Sequence, residues 1–411
     1  MPGKPLTFIL ENNYDFSGLD HLSLSYKIFE DTHDDSSGGE DKEKILLQKI
    51  IDLPSLEPGQ KTEISFNKDD LFIPAIKGAV VFHADFILKE NTAWAEKDHV
   101  IASAQKILKE ETLALNTFCV AAVKQGNADY KLPLDLPSLL KPCLYRVPTQ
   151  NDGLKTYMKL RGDPAMSFYY RGKAMYHWID LDLLNLRTCD EKKEEIILNG
   201  IPAVRYSAAL LAGENAAPQY ERYTKSPGLG SFSYCLTSGK PMVLEAVFDL
   251  DLELPELARI GLTAQIPSSY REISWFGAGP HESYPDRKES AFLGRYRHSV
   301  KEFETPYVVP QENGNRSGVR NFTLVNADLL KNITIRAENP VNIGCSRYSQ
   351  QNVWEAMHTC DLKDLSLNAD GKWFLFIDIA QRGVGTATCG PDTKEEYRIR
   401  PGVFKMKLYI Y

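Results

Sequence analysis

Residues Trp275 to Val319 read WFGAGPHESYPDRKESAFLGRYRHSVKEFETPYVVPQENGNRSGV, and no single period runs through them. Glycine, proline, aromatic and charged residues alternate irregularly. A helix would repeat its apolar positions every three or four residues, and a strand every two. Asn313-Gly314 is a tight-turn pair. Core burial alone does not account for such a run, which reads as long loops between strands.

On either side of it the dominant pattern is period two. Leu22, Leu24, Tyr26 and Ile28 alternate with Ser23, Ser25 and Lys27. Phe82, Ala84, Phe86 and Leu88 form a second row. Leu244, Ala246, Phe248, Leu250, Leu252 and Leu254 form a third, with Glu245, Asp249, Asp251 and Glu253 on the other side. Phe404, Met406, Leu408 and Ile410 form a last one. Strands with one wet face belong to antiparallel sheets that pack as sandwiches. The fold class is therefore all-β, and no parallel βαβ units are visible. One short helix is expected after Ser349, a good N-cap, with Val353, Trp354 and Met357 on one face.

The acidic, Gly/Ser-rich segment from Asp31 to Lys44 reads as a flexible loop between two strands. A boundary is expected within Leu108 to Thr117. The stretch Leu132 to Pro148 holds four prolines and reads as an irregular, extended crossing. The expected domains are 1–112, a small β-sandwich, and 113–411, one large sandwich with long loops.

The 411 residues carry 48 Lys+Arg against 55 Asp+Glu, a net charge of −7. That argues against a nucleic-acid partner, which needs a basic face. No run approaches the roughly 18 apolar residues of a membrane helix, and the first ten residues lack the apolar region of a secretory signal. The seven cysteines, Cys119, Cys143, Cys189, Cys235, Cys345, Cys360 and Cys389, are scattered with no Cys-x-x-Cys pair. A reduced cytoplasm is the simplest setting, and the sequons at Asn315, Asn321 and Asn332 are then chance matches. No serine-nucleophile elbow, Walker loop or His-Glu-x-x-His motif is present.

The irregular run resembles the signature of the last domain of family-2 β-galactosidases, enzymes that split lactose. The matching pieces are Trp275-Phe276-Gly277-Ala278-Gly279-Pro280, Glu282, Tyr284-Pro285-Asp286-Arg287, Thr305-Pro306-Tyr307-Val308, Pro310, Glu312-Asn313-Gly314 and Arg316. Ser346-Arg347-Tyr348-Ser349-Gln350-Gln351 is similar to that domain's next landmark. Arg146-Val147-Pro148-Thr149-Gln150-Asn151-Asp152 is similar to the family's Arg-x-Pro-x-x-Asn-Asp turn. Thr92-Ala93-Trp94-Ala95-Glu96 with His99 is similar to the end of the preceding sandwich. The resemblance implies an immunoglobulin-like β-sandwich followed by an antiparallel super-sandwich related to galactose mutarotase.

It also implies what the chain does not carry. In the family two glutamates on a central α/β barrel perform hydrolysis, and such a barrel takes about 250 residues of alternating strand and helix. No such alternation exists here. The resemblance therefore implies the C-terminal part of a β-galactosidase, with no catalytic residue, metal ligand or cofactor of its own. A barrel-bearing β-galactosidase chain is the expected partner, bringing the carboxylates, magnesium and sodium. The substrate is a galactoside, no nucleic acid or membrane takes part, and an oligomer is expected. One departure stands out: between Asp129 and Arg146 the chain is too short for the strand pair found there in relatives, so that sheet edge is either bare or rebuilt.

The substrate-binding residues implied are Thr388, Cys389 and Gly390. They lie in the loop Gly383 to Pro391, which aligns with a family loop reaching the barrel's active site. Bacterial relatives place a tryptophan there and yeast-type relatives a cysteine, as here, so the chain looks closest to the yeast type. The bland alternative is an ordinary Gly-rich loop. Glu282 and Glu312 could form an acid/base pair, but sequence spacing cannot set the gap glycosidases need. The simpler reading makes them, with Asp286, Arg287, Arg295, Arg316 and Arg320, partners that tie loops together. His281-Glu282 could serve a mutarotase, yet adjacent residues on an extended chain face opposite ways. His358 and Cys360 are two potential metal ligands without a third. Trp178, Trp275, Trp354 and Trp373 read as core or interface anchors before a sugar groove. A stand-alone galactoside-binding module and a mutarotase-like protein are the alternative functions.

Overall fold

A computed structural model describes residues 6–32, 42–66, 78–110, 131–155, 173–368 and 370–411. Most of the Asp31–Lys44 segment and of the expected boundary lies outside the described residues. The chain divides into two compact units, Met1–Ala114 and Leu115–Tyr411, and nearly all its regular structure is antiparallel β.

The first unit has strands β1 (Leu6–Glu11), β2 (Leu22–Thr32), β3 (Lys42–Asp52), β4 (Lys61–Phe66), β5 (Val80–Leu88) and β6 (Val100–Lys109). They form one sheet in the order β3-β2-β5-β6 and a two-stranded sheet, β1-β4. The period-two rows on β2 and β5 point into one core with Leu10, Leu53, Leu56 and Phe66. Aromatic rings dominate it: Phe8 stacks on Phe82 at 4.9 Å, and Tyr26 meets Phe66 edge-on at 4.8 Å. Each such buried ring contributes about 1.5–3 kcal/mol.

The second unit holds β7 (Lys141–Cys143), β8 (Arg187–Leu198), β9 (Ile201–Leu211), β10 (Gly230–Thr237), β11 (Met242–Leu250), β12 (Arg259–Pro267), β13 (Tyr270–Gly279), β14 (Phe292–Ser299), β15 (Arg316–Asn326), β16 (Ile333–Ser346), β17 (Lys372–Gln381) and β18 (Val403–Ile410). They make a 12-stranded sheet. Its path β14-β13-β15-β16-β18-β11-β10-β9-β8 branches at β16, where β17, β12 and β7 leave it. Ile335–Ala337 of β16 pair with β18, and Asn342–Ser346 pair with β17. Both branches share one core, with Leu244, Phe248, Leu408 and Ile410 from one and Leu262, Ile266, Leu375 and Ile377 from the other. The β8–β9 hairpin turns on Asn199-Gly200, both with positive φ (52° and 82°), the pairing that matches strand twist.

Trp178, Trp275 and Trp373 are fully buried, and Trp354 packs half-buried against the same core. These four tryptophans are core anchors. The sequons at Asn315 and Asn321 are buried as well, which closes both to a glycan. The stretch 131–146 holds one short helix, Leu136–Leu139, and one short strand. That strand, β7, covers β12 from Gly261 to Thr263, so this edge is partly rebuilt.

Two expectations need correction. The row ending Leu250-Leu252-Leu254 stops alternating at Leu250. There Leu254 N–H turns back to the Asp251 carbonyl, and Leu252 is left 77% exposed. The helix after Ser349 exists as Gln350–Glu355, with the Ser349 hydroxyl accepting from Asn352 N–H. Met357 lies beyond its end, because Ala356 is already extended.

Candidate functional site

The loop carrying Thr388, Cys389 and Gly390 leaves the end of β17, and its base is a buried ionic knot. Arg146 and Arg382 are both inaccessible to solvent, as is Asp152 between them. Arg146 Nη2 donates to both Asp152 oxygens at 2.8 Å, and Arg382 Nη1 donates to one at 3.2 Å. Thr149 adds its N–H at 2.8 Å and its hydroxyl at 2.9 Å. Arg146 Nη1 donates to the Arg382 carbonyl at 2.5 Å, tying the Arg-x-Pro turn to the residue that precedes the loop. Both guanidinium groups lie over the Trp178 ring, at 5.6 and 5.8 Å. Arg382 also engages Thr393 and Asp392, each at 2.8 Å.

Three further clamps hold the loop. The Asp286 carboxylate, from the signature run, accepts from Val384 N–H at 2.9 Å and Gly385 N–H at 2.7 Å. Asn151 donates to the Gly385 carbonyl at 2.8 Å, and its side-chain oxygen accepts from the Thr388 hydroxyl at 2.5 Å. Lys173 Nζ donates to the Ala387 carbonyl at 2.6 Å. Glycine is required where the loop bends: Gly385 has φ +62°, and a Cβ there would meet Thr393 Oγ1 at 2.4 Å. The tip is a tight turn, with Gly390 N–H returning to the Thr386 carbonyl at 2.9 Å. Of the three predicted residues, Thr388 is turned back onto Asn151, while Cys389 and Gly390 are exposed at the tip.

The signature carboxylates are spent on structure. Glu282 accepts from Gly314 N–H at 2.8 Å and pairs with Arg287 and the Tyr307 hydroxyl. His281 turns to the Ser290 hydroxyl instead, so the two adjacent residues do not share a pocket. Glu312 accepts from Arg259 at 3.0 Å and lines a cavity of about 30 Å³ with Gln311, Asn313, Ser346 and Tyr348. Pockets that enclose small-molecule ligands usually run to about 300 Å³ or more. Arg316 lies over Trp275 and Phe303 and donates to the Gly314 carbonyl at 3.0 Å. Arg295 reaches Asn321, and Arg320 the Gly318 carbonyl. These are the loop-tying roles that the sequence favoured. His358 and Cys360 are exposed in a one-turn helix closed by Asp361. Among the described residues no three His, Cys, Asp or Glu side chains gather as a metal site would require.

A second buried group was not foreseen. Arg259 Nε lies 2.9 Å from Asp378, and its Nη2 bonds Glu312, so two carboxylates share one guanidinium. Burial, helped by the neighbouring Glu312 charge, pushes the Asp378 carboxyl up to about 7 against the pull of Arg259. Asp378 Oδ1 is buried without a hydrogen-bond partner. The signal was present: a lone Asp inside the apolar run Phe374 to Ala380 must be paired if buried. Asn151, Lys173 and Arg382 were likewise not singled out as clamps.

Two families match the chain. The beta galactosidase small chain matches residues 121–410, and beta-galactosidase domain 4 matches residues 8–109. A β-galactosidase of Erwinia tasmaniensis is 30% identical over 99% of this chain and 38% of its own length. One from Vibrio cholerae is 41% identical over 32% of this chain and 12% of its own. One from Kluyveromyces lactis is 35% identical over 37% of this chain and 14% of its own. The chain thus spans well under half the length of these relatives. Among solved structures, a glycoside hydrolase family 97 enzyme from Pseudoalteromonas aligns with TM-score 0.23 at 8% identity, over 55% of this chain and 27% of that one. The described residues contain no helix long and apolar enough to cross a membrane. From the two family matches and the Erwinia alignment, this chain belongs to the β-galactosidases, whose C-terminal region it represents.

Proposed function

We propose that this chain is the non-catalytic C-terminal portion of a retaining, family-2 β-galactosidase of the yeast type, acting on terminal β-D-galactosides such as lactose. The observation that carries the reading is the clamped loop. Arg146 fixes the base of the loop at Arg382, and three further clamps hold Gly383 to Pro391 while leaving Cys389 and Gly390 bare. A surface loop so fixed is built to present its tip to something. In this reading Thr388 to Gly390 form a wall of the sugar pocket. Cys389 offers a small polarisable contact where an aromatic face would stack on the ring.

Retention requires two carboxyl groups about 5–5.5 Å apart across the glycosidic bond. Asp152, Asp286 and Glu282 are each tied to protein donors. A barrel-bearing partner chain supplies the catalytic pair, and magnesium and sodium belong with it. This chain supplies the pocket wall and an assembly surface. The described cysteines are all free thiols, which supports a reducing, cytoplasmic setting.

The test is reconstitution. The purified chain should leave a chromogenic galactoside intact, and adding a barrel-bearing chain should start hydrolysis. In that complex Cys389→Trp should lower KM by restoring a stacking face. Turnover by the chain alone would overturn the proposal. Calorimetric galactose binding with no hydrolysis in either sample would favour a binding module, and faster anomer exchange would favour a mutarotase.

A further inference from the structure

His298 lies on β14 opposite Ile273, and its ring sits in an aromatic nest. It meets Trp275 edge-on at 5.2 Å and Phe303 at 6.2 Å. The same two rings hold the Arg316 guanidinium, at 5.4 and 4.5 Å. Arg316 is 2% exposed; it donates to the Gly314 carbonyl, and no carboxylate pairs with it among the described residues. His298 Nδ1 is buried and has no hydrogen-bond partner. A buried cation and an unbonded imidazole nitrogen thus share one pocket of rings. The nest also closes a short helix, Val300–Phe303. Its cap is Ser299, whose hydroxyl accepts from Glu302 N–H, while the Glu302 carboxylate accepts from Ser299 N–H at 2.8 Å. That helix leads into the second half of the signature run, Thr305 to Arg316.

We propose that His298 is an acid-operated latch on this helix: while neutral it holds Phe303 in the nest, and when protonated it releases it. A neutral imidazole packs among rings without a charge to desolvate. An imidazolium would be a second cation beside Arg316, where little water screens the two. The anions nearby are engaged. Glu302 serves the cap, and Glu304 pairs with Arg347 at 2.7 Å. Glu272 pairs with Arg297, which alternates to the other face of the strand. Tyr296 donates its hydroxyl to the Phe292 carbonyl, and Lys301 is exposed. Burial holds the Cys345 thiol, near Arg316, well above its ordinary value and so neutral. Burial and then Arg316 push the imidazole below its ordinary 6.5, while Glu302 pulls back. The stability that the latch gives is therefore present above 6.5 and is lost as pH falls through the lower folded value. Glu302 lies below its ordinary 4.5, held there by the Ser299 main-chain N–H and hydroxyl, so the cap stays charged through this range.

The experiment measures hydrogen exchange of the full chain at about pH 7.5 and about pH 5.5, corrected for the intrinsic pH dependence of exchange. Glu302 and Glu304 report, since their amides donate to the Ser299 hydroxyl and the Lys301 carbonyl. Their protection should fall by about threefold or more at the lower pH. Asp378 acts with the opposite sign, so a global change would raise protection in acid. His298→Leu, which fills the nest with no proton to gain, should keep protection level between the two conditions. His298→Phe repeats the test if the leucine variant does not fold. Arg316→Met, which removes the neighbouring cation, should shrink the fall. Equal protection of the wild type at both pH values would overturn the proposal, and so would an equal fall in the His298 variants. Failure of both variants to fold at the higher pH would overturn it too, because a neutral latch needs only the bulk of the ring.

Discussion

Asp152 accepts from Arg146, Thr149 and Arg382 where none of the three charges reaches solvent. Removing its charge takes the carboxylate from the buried Arg146 guanidinium and one of three from Arg382, which keeps Asp392 and Glu256. Asp152→Asn should therefore cost about 3–5 kcal/mol in denaturant unfolding. Asp328→Asn, which breaks the exposed pair with Lys331, should cost less than about 1 kcal/mol. Asp378 should act through pH. Its folded carboxyl titrates near 7, above the ordinary 3.8. The folded state thus holds a proton that the unfolded chain has released. Its contribution to stability is complete below about pH 4 and is lost as pH rises to 7. Asp378→Asn should flatten that part of the stability profile and give its largest relative gain above pH 7. An unchanged slope between pH 4 and 7 would refute the assignment. At this scale the sequence spoke unevenly. Asp152 and Glu312 stand in recognisable motifs, whereas Arg382, Lys173 and Arg259 occupy ordinary positions. Their meaning comes from contacts across more than 50 residues of chain.

Strands with one wet face were legible because alternation survives in the sequence, as on β2, β11 and β18. β12 and β17 bury side chains on both faces over much of their length, so period two fades and burial cannot be read from spacing. The helix after Ser349 was announced by its cap. The helix Ala174–Asp180, which carries Trp178, has no side-chain cap bond and gave no such notice. The loop after β17 was found by likeness, but its rigidity was not, since each clamp comes from a distant segment. Asp286→Ala removes two acceptors from its neck. The Val384 and Gly385 amides should then exchange hydrogen faster, and the reconstituted enzyme should lose about tenfold or more in kcat/KM through misplacement of the tip. Unchanged exchange at both amides would show that the loop is held without Asp286.

For the molecule as a whole, several large apolar side chains stand in water: Phe16 at 96%, Leu330 at 93%, Val308 at 85% and Trp94 at 68% exposure. The purified chain should self-associate with rising concentration, as uncovered apolar surface does. A monodisperse monomer by light scattering would count against a missing partner. The fold class was readable because composition and alternation act on the whole chain, but the branching of the large sheet was not. β16 is continuous, yet its first half belongs to one branch and its second half to the other. Neither branch can peel away without breaking a ladder on the same strand. The two halves should therefore melt as a single cooperative block, with the amides of Ile335 and Ile343 opening at one common free energy in native-state exchange.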